Sequence, residues 1–234
     1  MEFPQDILNK FLIREDYFQW IEQETSIYVY IDLTNMLHWQ DALGWKFRME
    51  DVIKQLFSYS NVKEIKVYYG LNDRDLANSQ AFHNRIKRTG AVLRTKPMKF
   101  IIKDINAGMF FQRRTITLLD GSVKGKVQEL IEYLETSGIT IEEPKCNFDV
   151  EMAMDMLDDA EKMSAILLFS GDSDLVGPLE RLKIKGKKIG VCGVRNKVAA
   201  ELHRVKDKYL DFGKLYTGKR AYMKSENPAF GGTA

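Results

Sequence analysis

The alternation of apolar and polar positions divides this chain into short buried strands separated by amphipathic helices. Ile27–Ile31 (IYVYI), Glu64–Tyr69 (EIKVYY), Ala165–Phe169 (AILLF) and Lys188–Cys192 (KIGVC) are β-branched or aromatic runs bounded by polar residues. Runs of this length and composition predict strands buried on both faces. Between them, helical spacing predicts helices over 49–59, 73–89, 124–136, 149–163, 175–184 and 197–205. Gly90 and Gly186 stand where a helix end favours glycine. A further amphipathic helix is expected over 3–24, from Ile7, Phe11, Tyr17, Phe18 and Ile21. Residues after Asp32, including Asn35, His38, Trp39 and Gly44, are expected to form a loop. Weaker strands are expected at 91–95, 140–142 and 209–212. Residues 100–105 and 115–119 read as a hairpin around Asn106-Ala-Gly108. Residues 224–234, rich in glycine and small side chains, read as a loose tail.

Strands that alternate with helices imply an α/β fold with a mainly parallel sheet joined by right-handed crossovers. At 234 residues, 44% apolar and 29% charged, the chain suits one domain with a sizeable core. No apolar run is long enough to span a bilayer, and the N-terminal residues lack the apolar core of a signal peptide. Cys146 and Cys192 have no zinc spacing, which fits a reducing cytoplasm. Net charge is only +2, but its distribution is uneven. Residues 147–175 hold eight acids against Lys162 alone, whereas 176–224 hold fourteen Lys and Arg against four acids. Two solvated faces would explain this, and so would a metal site beside a phosphate-binding surface.

The chemistry lies at strand ends. In an open parallel sheet, ligands bind beyond the carboxyl ends of the strands. IYVYI runs into Asp32 and then Asn35. AILLF runs into Ser170-Gly-Asp172-Ser173-Asp174. Asp32 and Asp172, 140 positions apart, can therefore meet at one edge, with Asp174 beside them. Asp149 opens a helix that can pack at the same edge. Asp155 follows six residues later, about 600° of helical rotation, and so lies about 120° from Asp149. Both could face one site only if Asp149 sat outside the regular helix, so Asp155 ranks below Asp149. Taken singly, Asp32, Asp149, Asp172 and Asp174 are ordinary helix caps or turn residues. Three capping events need not share one edge, and this raises the functional reading. Converging carboxylates repel one another unless they protonate or bind a cation. Oxygen ligands without His or Cys suit Mg²⁺ or Mn²⁺.

A strand into Asp32-Leu-Thr-Asn35, a Phe-Asp149-Val with a second acid at Asp155, and a strand into Ser170-Gly-Asp-Ser-Asp174 together resemble the NYN domain family. The closer resemblance is to its bacterial LabA/DUF88 branch, over roughly residues 26–212. That resemblance implies a PIN-like three-layer α/β/α sandwich with a mainly parallel central sheet. It also implies one or two Mg²⁺ or Mn²⁺ ions and phosphodiester hydrolysis, usually of RNA. By position, Asp32, Asp149, Asp172 and Asp174 would be the catalytic, metal-binding acids. Asn35 would orient Asp32 or a water, Asp155 would be a secondary acid, and Ser170 and Ser173 would shape the turn. The helix at 3–24 and the segment 99–139, with its hairpin and helix, are additions to a minimal member. Either could clamp substrate, form a homodimer surface or embellish the fold.

Basic and aromatic residues mix at Arg94–Phe100, at Arg113-Arg114 and at 183–188. Arg195 and Lys197 follow the strand ending at Cys192 and are the leading phosphate contacts, with Lys96, Lys99, Arg113 and Arg114 behind them. Trp39 and Trp45 could stack unpaired bases. The expected activity is a metal-dependent ribonuclease, DNA remaining open as a substrate. A non-catalytic RNA-binding scaffold of the same fold is the competing reading. A haloacid-dehalogenase-type phosphatase fits poorly, because Asp32 is followed by Leu33-Thr34 rather than by a second acid at the next position but one.

Overall fold

A computed structural model describes residues 12–14, 16–104, 121–138 and 140–217. The chain forms two compact units, Met1–Lys96 with Phe148–Ala234, and Pro97–Asn147.

The first unit is built on six parallel strands: β2 (Ile27–Asp32), β3 (Val62–Tyr68), β4 (Val92–Arg94), β7 (Ala165–Phe169), β8 (Lys188–Gly193) and β9 (Lys208–Asp211). Their spatial order is β4-β3-β2-β7-β8-β9. The chain therefore lays strands outward in one direction from β2, then restarts at β7 and proceeds in the other. The order reverses between β2 and β7, where the diverging connections leave a crevice at the carboxyl ends. Ile27–Ile31 pairs residue for residue with Ala165–Phe169. Asp32 and Ser170 thus leave the sheet side by side. This is the α/β fold with a parallel central sheet expected from the hydrophobic pattern.

Side chains alternate between the two faces of the sheet. Ile27, Val29, Ile31, Ile65, Val67, Ala165, Leu167 and Phe169 enter one apolar cluster. Helices α1 (Leu33–Leu43) and α2 (Met49–Phe57) supply Leu33, Met36, Val52, Ile53 and Leu56 to it, and α3 (Leu76–Lys87) supplies Ile86. On the opposite face, Tyr30, Lys66 and Tyr68 meet polar groups of α5 (Asp149–Asp158) and the turn after it. Helices α6 (Val176–Ile184) and α7 (Ala200–Val205) bury Leu179, Leu182, Leu202 and Val205. Cys146 and Cys192 are not joined in a disulfide, and Cys192 is fully buried. No described helix is long and apolar enough to cross a membrane.

Two expectations are corrected. The segment after Asp32 is helix α1, because the Asp32 carboxylate accepts the Asn35 N–H (3.0 Å) and caps it. The helix expected over 3–24 is, in its described part, strand β1 (Leu12–Ile13) followed by a 3₁₀ turn at Gln19–Gln23. Strand β1 pairs antiparallel with β10 (Tyr216–Thr217). Phe18 and Ile21, both fully buried, are three residues apart, a spacing that one tight turn satisfies as well as an α-helix does. In the second unit, β5 (Lys99–Asp104) pairs antiparallel with β6 (Thr140–Lys145). That pairing joins segments about forty residues apart, and the hairpin partner expected at 115–119 lies outside the described residues. Helix α4 (Gly121–Thr136) stands between the two strands in the chain.

Candidate metal centre

The site grows from the paired ends of β2 and β7. Asp32 divides its carboxylate: Oδ1 caps α1, and Oδ2 accepts the Ser170 hydroxyl at 3.2 Å. Ser170 is fully buried, and its Oγ accepts the Asp172 N–H (3.2 Å). One turn of α1 further on, the Asn35 side-chain oxygen accepts both the Gly171 N–H (3.1 Å) and the Trp39 indole N–H (2.9 Å). Asn35 thus ties the turn after β7 to the helix after β2. On its other side, Gly171 presses against the loop that follows β8. A Cβ there would fall 2.0 Å from the Lys197 carbonyl oxygen, and the Gly171 carbonyl accepts the Ala199 N–H (3.0 Å). Glycine is required by this close approach.

The next residues deliver the acids. Asp172 caps a short 3₁₀ turn, Ser173–Leu175, through Oδ1 and the Asp174 N–H (3.0 Å). Asp149 enters from the first turn of α5. One carboxylate oxygen from each of Asp149, Asp172 and Asp174 falls within 4.8 Å of the others. Asp149 and Asp172 are half-buried and Asp174 is exposed. Asp32 lies outside this trio but beside it. Burial pushes the Asp32 carboxyl above its ordinary range, and the charges of Asp149 and Asp172 push it further. The hydrogen bonds from Asn35 and Ser170 pull the other way without cancelling the rise. Capping and ligation are compatible at Asp172, whose cap occupies one oxygen of two, whereas both oxygens of Asp32 are engaged, by Asn35 and Ser170. Three carboxylate oxygens within 4.8 Å of one another, beside a fourth acid whose ionisation burial opposes, fit a hard divalent cation that retains waters.

Asp155 faces elsewhere. Arg94 grips it with two hydrogen bonds (2.9 and 2.8 Å), and the Tyr68 hydroxyl donates a third (2.7 Å). Its neighbour one turn on, Asp159, is 3% exposed and binds Lys66, Lys162 and the Tyr30 hydroxyl. Burial raises both carboxyls, yet these partners outweigh it and hold both below the usual range. Asp155 thus fastens α5 to the sheet, as the 120° offset from Asp149 requires, and is not among the converging acids. The signal for this network was Lys66, a lone cation at an inward position of an apolar strand, 5% exposed in the fold.

The expected nucleic-acid contacts divide. Arg195 and Lys197 are exposed in the loop after β8, at the carboxyl edge. Lys96 pairs with Glu151, and its ammonium lies 4.7 Å from the Phe148 ring, so it braces the start of α5. Lys99 is exposed in the second unit. Arg113 and Arg114 lie outside the described residues. Trp39 is 1% exposed, with its N–H spent on Asn35, so it has no face for a base. Trp45 stacks on Phe212 at 5.9 Å. Ser173 is exposed in the turn.

The comparisons with known proteins agree with this picture. A model of the NYN domain matches residues 101–213, a stretch that includes Asp149, Asp172 and Asp174 but not Asp32. The Low amplitude and bright protein LabA of Synechococcus elongatus is 24% identical over 201 residues, covering 86% of this chain and 89% of that protein. The crystal structure of a protein of unknown function from Vibrio parahaemolyticus superposes with a TM-score of 0.57 at 17% identity. That match covers 88% of this chain and 100% of the other, and it speaks for the fold alone.

Proposed function

We propose that this chain, an NYN-domain protein of the LabA type, is a metal-dependent nuclease that hydrolyses phosphodiester bonds in RNA. The observation that carries the reading is the convergence of Asp149, Asp172 and Asp174 at the crevice between β2 and β7, with Asp32 beside them. Asp149, Asp172 and Asp174 would hold Mg²⁺ or Mn²⁺. Once bound, such an ion supplies Lewis-acid chemistry at phosphorus and activates the attacking water. Asp32 orients solvent at the site's inner wall and accepts its proton, a role suited to a carboxyl held above its ordinary range. Ser170 and Asn35 keep Asp32 and the Gly171 turn in register through the bonds described above, so that the acids are positioned before substrate arrives. Arg195 and Lys197, exposed at the same edge, offer charge to flanking phosphates. The nuclease domain proper spans 26–212, and the segment 99–139 is an insertion in it.

The test is incubation of the purified protein with end-labelled single-stranded RNA and matched DNA, in Mn²⁺, Mg²⁺ or EDTA. Cleavage of RNA that needs the ion and is lost in Asp172→Asn is the expected result. Equal cutting in EDTA, or full activity in Asp172→Asn, overturns the reading. Binding of RNA without turnover in either ion moves the chain to the scaffold class.

A further inference from the structure

A second concavity lies one strand further along the sheet from the acids. It is a cleft of about 720 Å³ lined by edge strand β9, the loop after β8 and the 3₁₀ turn that carries Trp20, a volume that suits a small organic ligand. Trp20 and Tyr209 give it aromatic walls, and Arg14, Arg195, Lys208 and Lys214 surround them. Trp20 is seated firmly: a Cβ on Gly190 of β8 would fall 2.6 Å from its ring. Tyr209 is fixed through its hydroxyl, donated to the Gly193 carbonyl at 2.8 Å, and His203 packs edge-on against it at 4.8 Å.

The cleft's charge is unbalanced. Of its two acids, Asp16 pairs with Arg14 (2.7 Å), and Asp211 accepts the Gly213 N–H (3.0 Å). No carboxylate among the described residues pairs with Arg195, Lys208 or Lys214. The wall between cleft and acids is one loop, residues 194–199. Arg195, Asn196 and Val198 line the cleft from it, while its Lys197 carbonyl abuts Gly171, beside Asp172. Asn196 holds φ +67°, a left-handed conformation uncommon outside glycine. Such an outlier persists where the surroundings fix the loop's shape.

Fixed aromatic faces ringed by cations, of which Arg195, Lys208 and Lys214 have no carboxylate partner among the described residues, match a ligand that alternates flat bases with phosphates. We infer that this cleft seats one or two unpaired nucleotides of the strand whose phosphodiester lies at Asp149, Asp172 and Asp174. Bases lie against Trp20 and Tyr209, and the flanking phosphates meet Arg195 and Lys208. The inference rests on the nuclease reading for what happens at the acids, but the cleft's own binding can be measured without cleavage. It would make the enzyme selective for single strands, because a paired base cannot turn out into the cleft.

The experiment is a titration of the full chain, in EDTA, with fluorescein-labelled hexauridylate at several salt concentrations, read by anisotropy. Arg195→Ala with Lys208→Ala should weaken binding at least tenfold. It should also make the salt dependence of the association constant shallower by about 1.4 on logarithmic axes, for two lost phosphate contacts on a single strand. A hexamer of the same charge without bases should bind about tenfold more weakly for each stacked base it lacks. Hexauridylate should quench tryptophan emission in the wild type and not in Trp20→Phe. Wild-type affinity and salt slope in the double variant overturn the inference, as does equal affinity for the hexamer without bases. If UMP binds as tightly as hexauridylate, the cleft is a free-nucleotide site and the strand assignment falls. The two readings separate cleanly. Loss of cleavage in Asp172→Asn with unaltered binding in the double variant removes the cleft and keeps the nuclease. Weakened binding in the double variant of a protein that cuts nothing keeps the cleft and removes the nuclease.

Discussion

Gly171 carries more of the site's geometry than its missing side chain suggests. Its N–H is held by Asn35, its carbonyl by Ala199, and the Lys197 backbone occupies the space a methyl group would need. In Gly171→Ala the backbone must move, because the atoms a Cβ would meet belong to the Lys197 and Val198 backbone and not to the flexible end of a side chain. Overpacking of this kind costs about 1–3 kcal/mol. A displacement of about an ångström at the neighbouring acids costs about a hundredfold in rate. The expected outcome is a modestly lowered melting temperature with a far larger loss of RNA cleavage. Unchanged turnover would mean that the loop after β8 is not part of the site's frame. Ser170-Gly-Asp-Ser-Asp174 was legible in the sequence as a unit. The reason for its glycine was not, since the loop that excludes a Cβ comes from 26 positions further along the chain.

At the scale of elements, α5 links a buried ionic network to the acid cluster. Its first turn presents Asp149; its last turn and C-cap present Asp155 and Asp159 to Tyr68, Arg94, Lys66 and Tyr30. Removing Asp159 takes from Lys66, which is 5% exposed, its nearest carboxylate and leaves it the longer contacts to Glu64 (3.5 Å) and Asp155 (3.6 Å). Breaking a buried pair from one side costs about 3–5 kcal/mol. Asp159→Ala should therefore lower the urea midpoint strongly and weaken Mn²⁺ binding, although Asp159 touches no proposed ligand position. Asp158→Ala, a change one residue away, should do neither. Strands β2, β7 and β8 were legible because buried parallel strands write themselves as continuous apolar runs. Helix α1 was misread as loop: Asp32 was legible as a cap or turn residue, but the helix it starts was not. The pairing of β5 with β6 was not legible because it joins segments about forty residues apart, which only the folded chain brings together. The cleft beside Trp20 was invisible for the same reason: its two sides, 14–23 and 195–214, are adjacent only through β1, β10 and the edge of the sheet.

For the molecule as a whole, the acids divide into two groups that oppose each other as pH changes. Asp155 and Asp159 are held below the ordinary carboxylate range, so the stability they confer is present above about pH 4 and is lost as pH falls below it. Asp32 is held above that range, so between about pH 4 and its folded pKa the native state binds the proton that the unfolded chain releases. Stability then falls as pH rises through this window. The metal-free protein should accordingly be most stable just above the ordinary carboxylate range and lose a little towards neutrality. Mn²⁺ should reverse the second trend, because a cation satisfies the charges that oppose ionisation of Asp32. At a hundredfold excess over its dissociation constant the ion adds about 2.7 kcal/mol, or about 5–10 °C in melting temperature for a chain of this size. Asp32→Asn keeps an oxygen for the α1 cap and removes the penalised charge. It should raise the metal-free melting temperature near neutral pH while shrinking the Mn²⁺ increment. Thermal melts of both proteins from about pH 4 to about pH 7, in EDTA and in Mn²⁺, read all of these effects together. An Asp32→Asn protein that melts below the wild type in EDTA would show that the Asp32 carboxylate holds the fold together, and would leave the crevice between β2 and β7 without its strained acid.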